Sequence, residues 1–137
     1  MINDRMPEYC IERASKILNR FKKALNGSKI LVLGVAYKQD IADFRESPAL
    51  KIIGGLEREG AEVSYYDPYV PEYQKGGRLF KSLPALAEDA LQAADLVIVT
   101  TAHSITDYDL VAQKALVVFD TKNAMKNVTT RDNIELL

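Results

Sequence analysis

Three apolar runs, each too short for a typical helix, constrain the fold of this chain more than any other feature. "KILVLG" (29–34), "DLVIVTTA" (95–102) and "ALVVFD" (115–120) are apolar at odd and even positions alike. Strands buried on both faces have this pattern, which is typical of a parallel sheet covered by helices. A further strand is predicted at "AEVSYYD" (61–67), and "NIEL" near the C-terminus fits either a short strand or irregular chain.

The segments between these runs carry helical signals. Ser47 followed by Pro48 combines a serine cap with proline at the first helical position, so we predict a helix that starts there and ends at Gly60. Further helices are predicted at 7–25, in a segment that ends near residue 94, and at 107–113. The alternation predicts an α/β fold: a Rossmann-like three-layer sandwich with a mostly parallel sheet, preceded by a long N-terminal helix. We expect the strand order 3-2-1-4-5 or a truncated version of it.

The N-terminal helix is interpreted as a linker from an upstream segment. Its apolar residues form one stripe that includes Cys10, Ile17 and Phe21. Without an upstream partner, we expect this stripe to be exposed and to drive self-association. Cys10 has no basic partner in the sequence, so it is interpreted as a packed thiol and not as a nucleophile.

Charge and composition exclude several kinds of partner. The 137 residues suffice for about one domain, and 18 basic against 19 acidic residues leave a net charge of −1. This balance shows no excess of positive charge of the kind that binds nucleic acid or an anionic membrane. A single cysteine and an N-terminus without an apolar signal stretch favour a cytoplasmic protein.

The carboxyl ends of parallel strands are where ligands bind in open α/β sheets. Gly34 ends the first strand, but a dinucleotide fingerprint needs further glycines at the positions of Ala36 and Gln39. The usual cradle for a pyrophosphate is therefore missing. Gly34 is either a ligand contact or a relic of the nucleotide-binding fold.

Lys38 and Arg45 are the sharper candidates in the loop that follows. A lysine just past a strand can supply a point charge to a diphosphate, and an arginine near a helix N-terminus adds bidentate donors. The alternative is that both cations only pair with the loop acids, which are Asp40, Asp43 and Glu46.

Three further residues each have two interpretations. Tyr37 could stack on a base or belong to the core, and Asp67 could meet a ribose hydroxyl or only form a turn. His103, the sole histidine, could be a general base or a loop or capping residue, and without companions it makes no metal site.

Six pieces in order resemble one known family. "LGVAYK", "D…RESPAL", "L…G", "YYDPYVP", "ADLVIVTTAH" and "FDTKNA" span residues 27 to about 125 and are similar to the C-terminal domain of the UDP-glucose/GDP-mannose dehydrogenases. "INDRMPEY" (2–9) resembles the end of the central helix of the same enzymes. "LGVAYKQDIADFRESPAL" resembles the UDP-N-acetyl-hexosamine dehydrogenases more than the UDP-glucose enzymes.

The resemblance implies part of an NAD-dependent UDP-sugar 6-dehydrogenase, which oxidises a C6 hydroxyl to a carboxylate in two steps, and a role in polysaccharide biosynthesis. The family has an NAD-binding N-terminal domain, a dimerising central region with the catalytic cysteine, and a C-terminal UDP-sugar-binding domain. Residues 1–26 would be the end of the central linker and dimerisation helix, and 27–137 the C-terminal domain. The chain has neither the NAD-binding domain nor the catalytic cysteine loop. We therefore expect it to be inactive alone and to need these missing parts, with the full-length enzyme a homodimer or larger.

The resemblance also assigns site residues. Tyr37 and Lys38 match the aromatic–lysine pair that contacts the UDP-sugar, and Arg45 matches the arginine that reaches NAD on the other domain. Lys122 stands where the family commonly has arginine, so the positive charge is kept but the bidentate fork is lost.

Two rival interpretations come from other classes. A non-catalytic Rossmann-like interaction domain that has lost its ligand would leave Lys38 and Arg45 merely solvated. A phosphoacceptor receiver domain needs an acidic pair after the first strand, where this chain has Gly34 and Val35, so it is set aside.

Overall fold

The computed structural model describes residues 5–137, so residues 2–4 of the "INDRMPEY" segment lie outside the described part. The helices are α1 (Met6–Arg20), α2 (Pro48–Arg58), α3 (Glu88–Ala93) and α4 (Tyr108–Lys114). The strands are β1 (Lys29–Leu33), β2 (Glu62–Tyr66), β3 (Glu72–Lys75), β4 (Arg78–Lys81), β5 (Leu96–Val99), β6 (Val118–Asp120) and β7 (Ile134–Leu136).

Five strands form one parallel sheet in the order β2-β1-β5-β6-β7. The predicted α/β, Rossmann-like architecture is confirmed, and "NIEL" contributes the strand β7. When only the strands of this sheet are numbered, the order is 2-1-3-4-5, so the predicted order 3-2-1-4-5 is wrong. A version truncated before its strand 2 agrees with the first four strands of the sheet, to which β7 is added at the far edge. The chain leaves β2 for a separate hairpin, β3–β4, so no strand of residues 5–137 extends the sheet beyond β2.

The hairpin was not predicted, and the helix expected before residue 94 is short. Gly76 and Gly77 make the turn between β3 and β4 with φ angles of 59° and 76°. Positive φ at both central residues is the geometry of a tight hairpin turn, which glycine adopts without strain. Tyr73 stacks on Phe80 across the hairpin, with 4.8 Å between the ring centres. Tyr73 also packs on Tyr65 of β2 at 5.4 Å, and this contact joins the hairpin to the domain.

The sheet is covered on both faces, as the apolar runs require. Ile30, Val32 and Ile98 belong to a core cluster that includes residues of α1 and α2. Leu31 and Val97 belong to a second cluster, with residues of α3 and α4. Each fully buried Leu, Ile or Val side chain contributes roughly 1.5–3 kcal/mol, so alternate residues of one strand stabilise opposite layers.

Helix α1 is packed into the domain, and the expectation that its apolar stripe is exposed is wrong. Cys10 and Ile17 are essentially buried, while Phe21 at the end of the helix is 38% exposed. The physical reason is α2: Gly55 has no side chain, and a Cβ there would collide with Ile11 of α1. The two helices can therefore pack closely, and the stripe is covered without an upstream partner.

The ends of the helices follow from local chemistry. The Ser47 hydroxyl accepts a hydrogen bond from the Ala49 N–H at 3.2 Å, which confirms the predicted cap of α2. Helix α1 stops five residues before the predicted end because Lys22 takes a left-handed conformation with φ of 62°. The backbone N–H groups of Lys22 and Lys23 donate to the carbonyls of Asn19 and Leu18, respectively. These two hydrogen bonds end the helix in a Schellman motif.

Candidate functional site

Gly34, at the end of β1, is required by the neighbouring strand. Its φ is 89°, and a Cβ added there would lie 2.5 Å from the Thr101 Cβ. Real side chains do not approach this closely, so the position needs glycine with or without a ligand. The Thr101 hydroxyl also donates to the Ala36 carbonyl at 2.8 Å, which ties the loop after β1 to the loop after β5.

The Asp67 carboxylate, at the end of β2, occupies the backbone donors of the loop after β1. Its Oδ2 accepts from the N–H groups of Val35 at 2.8 Å and Ala36 at 3.1 Å, and Oδ1 accepts from the Tyr69 N–H at 2.8 Å. The side chain is fully buried. A ribose hydroxyl therefore cannot reach it in this structure. The two loop amides are also not available as a cradle for the NAD pyrophosphate, which the missing glycine fingerprint already indicated.

Opposing effects act on the pKa of Asp67. Burial raises it, but hydrogen bonds from His103 and from the N–H groups of Val35 and Tyr69 outweigh burial and lower the pKa. Asp67 is therefore a carboxylate anchor in the folded chain.

His103 lies between two loops and is 1% exposed. Its Nδ1 accepts from the Asp40 N–H at 2.8 Å, so the ring proton resides on Nε2, which donates to Asp67 Oδ2 at 2.9 Å. Both ring nitrogens are thus engaged inside the protein. The structure favours the interpretation of His103 as a loop residue over that of a general base.

A cleft of about 500 Å³ contains the three residues predicted to bind substrate: Tyr37, Lys38 and Lys122. We call it the lysine cleft. Small-molecule sites typically have volumes of roughly 300–1,000 Å³. Tyr37 is 52% exposed, so the alternative that it belongs to the core is wrong. The Lys38 ammonium lies 5.9 Å from the centre of the Tyr37 ring.

Two charged residues of the lysine cleft were not predicted to belong to the site. Lys51 in the first turns of α2 and Glu46 just before that helix also line it. The side chains of Lys38, Lys51 and Lys122 carry three positive charges, and that of Glu46 carries one negative charge. The excess of two suits a doubly charged anion such as a diphosphate. Placing these residues from sequence would have required knowing which end of α2 faces the strand ends.

A buried carboxylate orders the loop that carries Lys122. Asp120, at the end of β6, accepts from the N–H groups of Lys122, Ala124 and Met125 at 2.9–3.1 Å. Asp67 does the same for the loop that carries Lys38. The sequence indicates both aspartates only as acids at strand ends.

Arg45 does not line the lysine cleft, although the depression that it lines adjoins the cleft and shares Tyr37 and Glu46 with it. It lines a different depression with Tyr37, Asp43 and Glu46, and its guanidinium forms two hydrogen bonds to Asp43 at 3.1 and 3.2 Å. The side chain is 82% exposed. For Arg45, the interpretation that it pairs with an acid of its own loop agrees with the structure. For Lys38 this interpretation is wrong, because none of the ion pairs within 4 Å among residues 5–137 includes its ammonium. Asp40 bonds to Ser104 instead.

Cys10 forms part of the apolar wall that α1 gives the lysine cleft. Burial raises the pKa of its thiol, although the charges of Lys122 and Arg13 partly oppose this. A buried thiol with a raised pKa is a poor nucleophile, as the sequence predicted.

Fold and site together define a class: a Rossmann-like α/β domain with a cationic cleft at the carboxyl ends of its parallel strands, suited to a phosphorylated ligand. The model of the UDP-glucose/GDP-mannose dehydrogenase family, UDP binding domain, matches residues 31–127. The chain belongs to this family.

Similar sequences include the UDP-N-acetyl-D-mannosamine dehydrogenase of Methanocaldococcus jannaschii, which is 32% identical over 132 residues. The match covers 90% of this chain and 28% of the relative. The UDP-glucose 6-dehydrogenase 4 of Oryza sativa is 38% identical over 73 residues, or 53% of this chain and 15% of the relative. The chain thus spans less than a third of the length of these relatives.

Solved structures of proteins with similar names superpose on this chain. The UDP-D-ManNAc dehydrogenase of Pyrococcus horikoshii superposes with a TM-score of 0.77 at 26% identity, over 98% of this chain and 31% of that one. The native UDP-N-acetyl-mannosamine dehydrogenase of Staphylococcus aureus gives 0.72 at 31% identity, over 98% and 31%. In the part of the chain that the structure describes, no helix has the length and apolar character to span a membrane.

Proposed function

We propose that this chain binds the UDP part of a nucleotide sugar in the lysine cleft. The observation that supports this most is that Tyr37, Lys38 and Lys122, assigned to substrate from sequence, line one cleft although two loops far apart in sequence supply them. Tyr37 offers an exposed ring for stacking. Lys38, Lys51 and Lys122 offer ammonium groups for the phosphates.

We further propose that the chain acts as the C-terminal substrate-binding domain of an NAD-dependent UDP-sugar 6-dehydrogenase. Residues 1–26 would then continue the central helix of that enzyme. NAD supplies the hydride acceptor, and its main binding domain would lie outside this chain, because the residues described here offer no free cradle for a dinucleotide. Arg45 would extend to NAD across the cleft. It would then lose its exposed ion pair with Asp43 and bind NAD instead.

The substrate class that we propose is a UDP-N-acetylhexosamine. The M. jannaschii and P. horikoshii relatives are both named for UDP-N-acetylmannosamine. The 137-residue chain should not reduce NAD by itself, since Cys10 is buried and no other thiol is present. NAD reduction by the purified chain with UDP-N-acetylmannosamine, at an ordinary enzymatic rate, would contradict this proposal.

Thermal melting tests the binding step. A ligand that binds only the folded state stabilises it by about 2.7 kcal/mol at a concentration of 100 times its Kd. We expect UDP to raise the melting temperature of the chain more than uridine or inorganic phosphate at equal concentration. No shift with millimolar UDP would support the rival, an interaction domain that has lost its ligand.

A further inference from the structure

We propose that His103 and Asp40 are positioning residues that hold the segment Tyr37–Gln39 in the shape that receives the nucleotide. This inference rests on the proposed function and extends it to residues that line no part of the lysine cleft. It starts from the two ring nitrogens of His103, which form hydrogen bonds with two different residues, Asp40 and Asp67.

The segment is fixed at both ends by the loop after β5. At its start, the Ala36 carbonyl accepts from the Thr101 hydroxyl at 2.8 Å. At its end, the Asp40 N–H donates to His103 Nδ1 at 2.8 Å. The Asp40 carboxylate also accepts from the Ser104 N–H at 2.8 Å and from the Ser104 hydroxyl at 2.5 Å. The segment Tyr37–Gln39 therefore runs between two points that are held by Thr101 and His103 of the loop after β5.

The side chains of the segment cannot fix its shape themselves. Tyr37 is 52% exposed, and Lys38 and Gln39 are also exposed. Asp40 has a φ of 62°, a conformation that a non-glycine residue keeps only when its surroundings hold it. The anchors at Asp40 thus order the backbone that carries Tyr37 and Lys38 before the ligand arrives. Such ordering reduces the entropic cost of binding.

The two ring nitrogens of His103 separate the two contacts. Nε2 donates to the buried Asp67 carboxylate, which holds the end of β2 to the loop after β1. Nδ1 accepts from Asp40 and serves the segment Tyr37–Gln39. Asparagine can place an acceptor near the Nδ1 position, and glutamine can place a donor near the Nε2 position. The variants His103→Asn and His103→Gln therefore each keep one contact and lose the other.

The experiment measures two quantities on the 137-residue chain and both variants: the Kd for UDP by calorimetry and the free energy of unfolding by urea. His103→Gln keeps the contact to Asp67, so we expect it to lose less stability but to bind UDP about tenfold more weakly than the native chain. His103→Asn leaves Asp67 without its histidine donor. It should lose more stability and yet bind UDP within about twofold of the native Kd.

In this prediction the more stable variant, His103→Gln, is the weaker binder of UDP. A histidine with a purely structural role would not produce that result. UDP affinity that falls in step with stability across both variants, or native affinity in His103→Gln, would overturn the inference. Ser104→Ala provides an independent test because it removes only the hydroxyl contact to Asp40. It should weaken UDP binding several-fold with little loss of stability, and unchanged binding would count against the inference. If the native chain does not bind UDP, it is the proposed function that fails.

Discussion

The Nε2 atom of His103 lies 2.9 Å from Oδ2 of Asp67, and both side chains are buried at the carboxyl edge of the sheet. This pair joins the end of β2 to the loop after β5, and Asp67 extends the connection to the loop after β1. The position where many nucleotide-binding folds hold a phosphate on backbone amides is here filled by the protein's own carboxylate. The cations that we assign to the ligand lie further along the loops, around the lysine cleft.

The pair makes the stability of the chain depend on pH. The folded pKa of Asp67 lies below its ordinary value of 3.8, so its contribution is present above that pH and is lost as pH falls through the folded pKa. We compare the native chain with Asp67→Asn by urea unfolding between pH 2 and 7. The difference in free energy of unfolding should be constant at neutral pH and should narrow below about pH 4. A gap that widens on acidification would be inconsistent with a carboxylate anchor.

Gly34→Ala should be strongly destabilising. The added Cβ would lie 2.5 Å from the Thr101 Cβ, and the residue would keep a φ of 89°, so we expect a loss of about 2–5 kcal/mol. Gly77→Ala is the matched control: its φ is also positive, at 76°, but no atom lies within 4 Å of the added Cβ. It should cost about 1–2 kcal/mol. Equal losses for the two variants in urea unfolding would show that the close approach to Thr101 is unimportant.

Arg45→Ala should leave UDP binding to this chain almost unchanged. Arg45 lies outside the lysine cleft, and its guanidinium is paired with Asp43 on an exposed loop. We expect the Kd for UDP to stay within about twofold of the native value by calorimetry. A loss as large as that of Lys38→Ala would place Arg45 in the UDP site and would contradict its assignment to NAD.

Lys122→Arg should bind UDP at least as tightly as the native chain. Lysine keeps the charge at this position, and arginine adds a planar fork that can bind a phosphate with two hydrogen bonds. We expect tightening of up to about tenfold in Kd, or ~1.4 kcal/mol. Clear weakening by this substitution would contradict the prediction, because it would show that a guanidinium cannot replace the ammonium of Lys122 at the ligand.

Patterns that depend on neighbouring residues in the chain were predicted well. The apolar runs identified β1, β5 and β6, and Ser47 with Pro48 located the start of α2 to the residue. The hairpin was missed although Gly76 and Gly77 between two short extended stretches signal a tight turn. The early end of α1 carries no such signal, because Lys22 takes a conformation that lysine seldom adopts.

The candidate site was predicted only in part, for a physical reason. A resemblance in sequence assigned Tyr37, Lys38 and Lys122, and the fold brings them to one cleft. The same loop carries Arg45, which proximity in sequence grouped with Lys38 but which the chain turns toward Asp43. Asp120, Lys51 and the double contact of His103 depend on which loops meet in space, which no local pattern specifies.

The binding of a diphosphate by Lys38 is the central claim, and a calorimetric titration of UDP tests it most directly. The titration compares the native chain with Lys38→Ala and with Lys75→Ala, a control that removes an exposed lysine from the hairpin, away from the lysine cleft. We predict saturable binding with one site, weakened about tenfold or more by Lys38→Ala and unchanged by Lys75→Ala. Equal heats from the native chain and Lys38→Ala, or no binding to any of the three, would contradict the account.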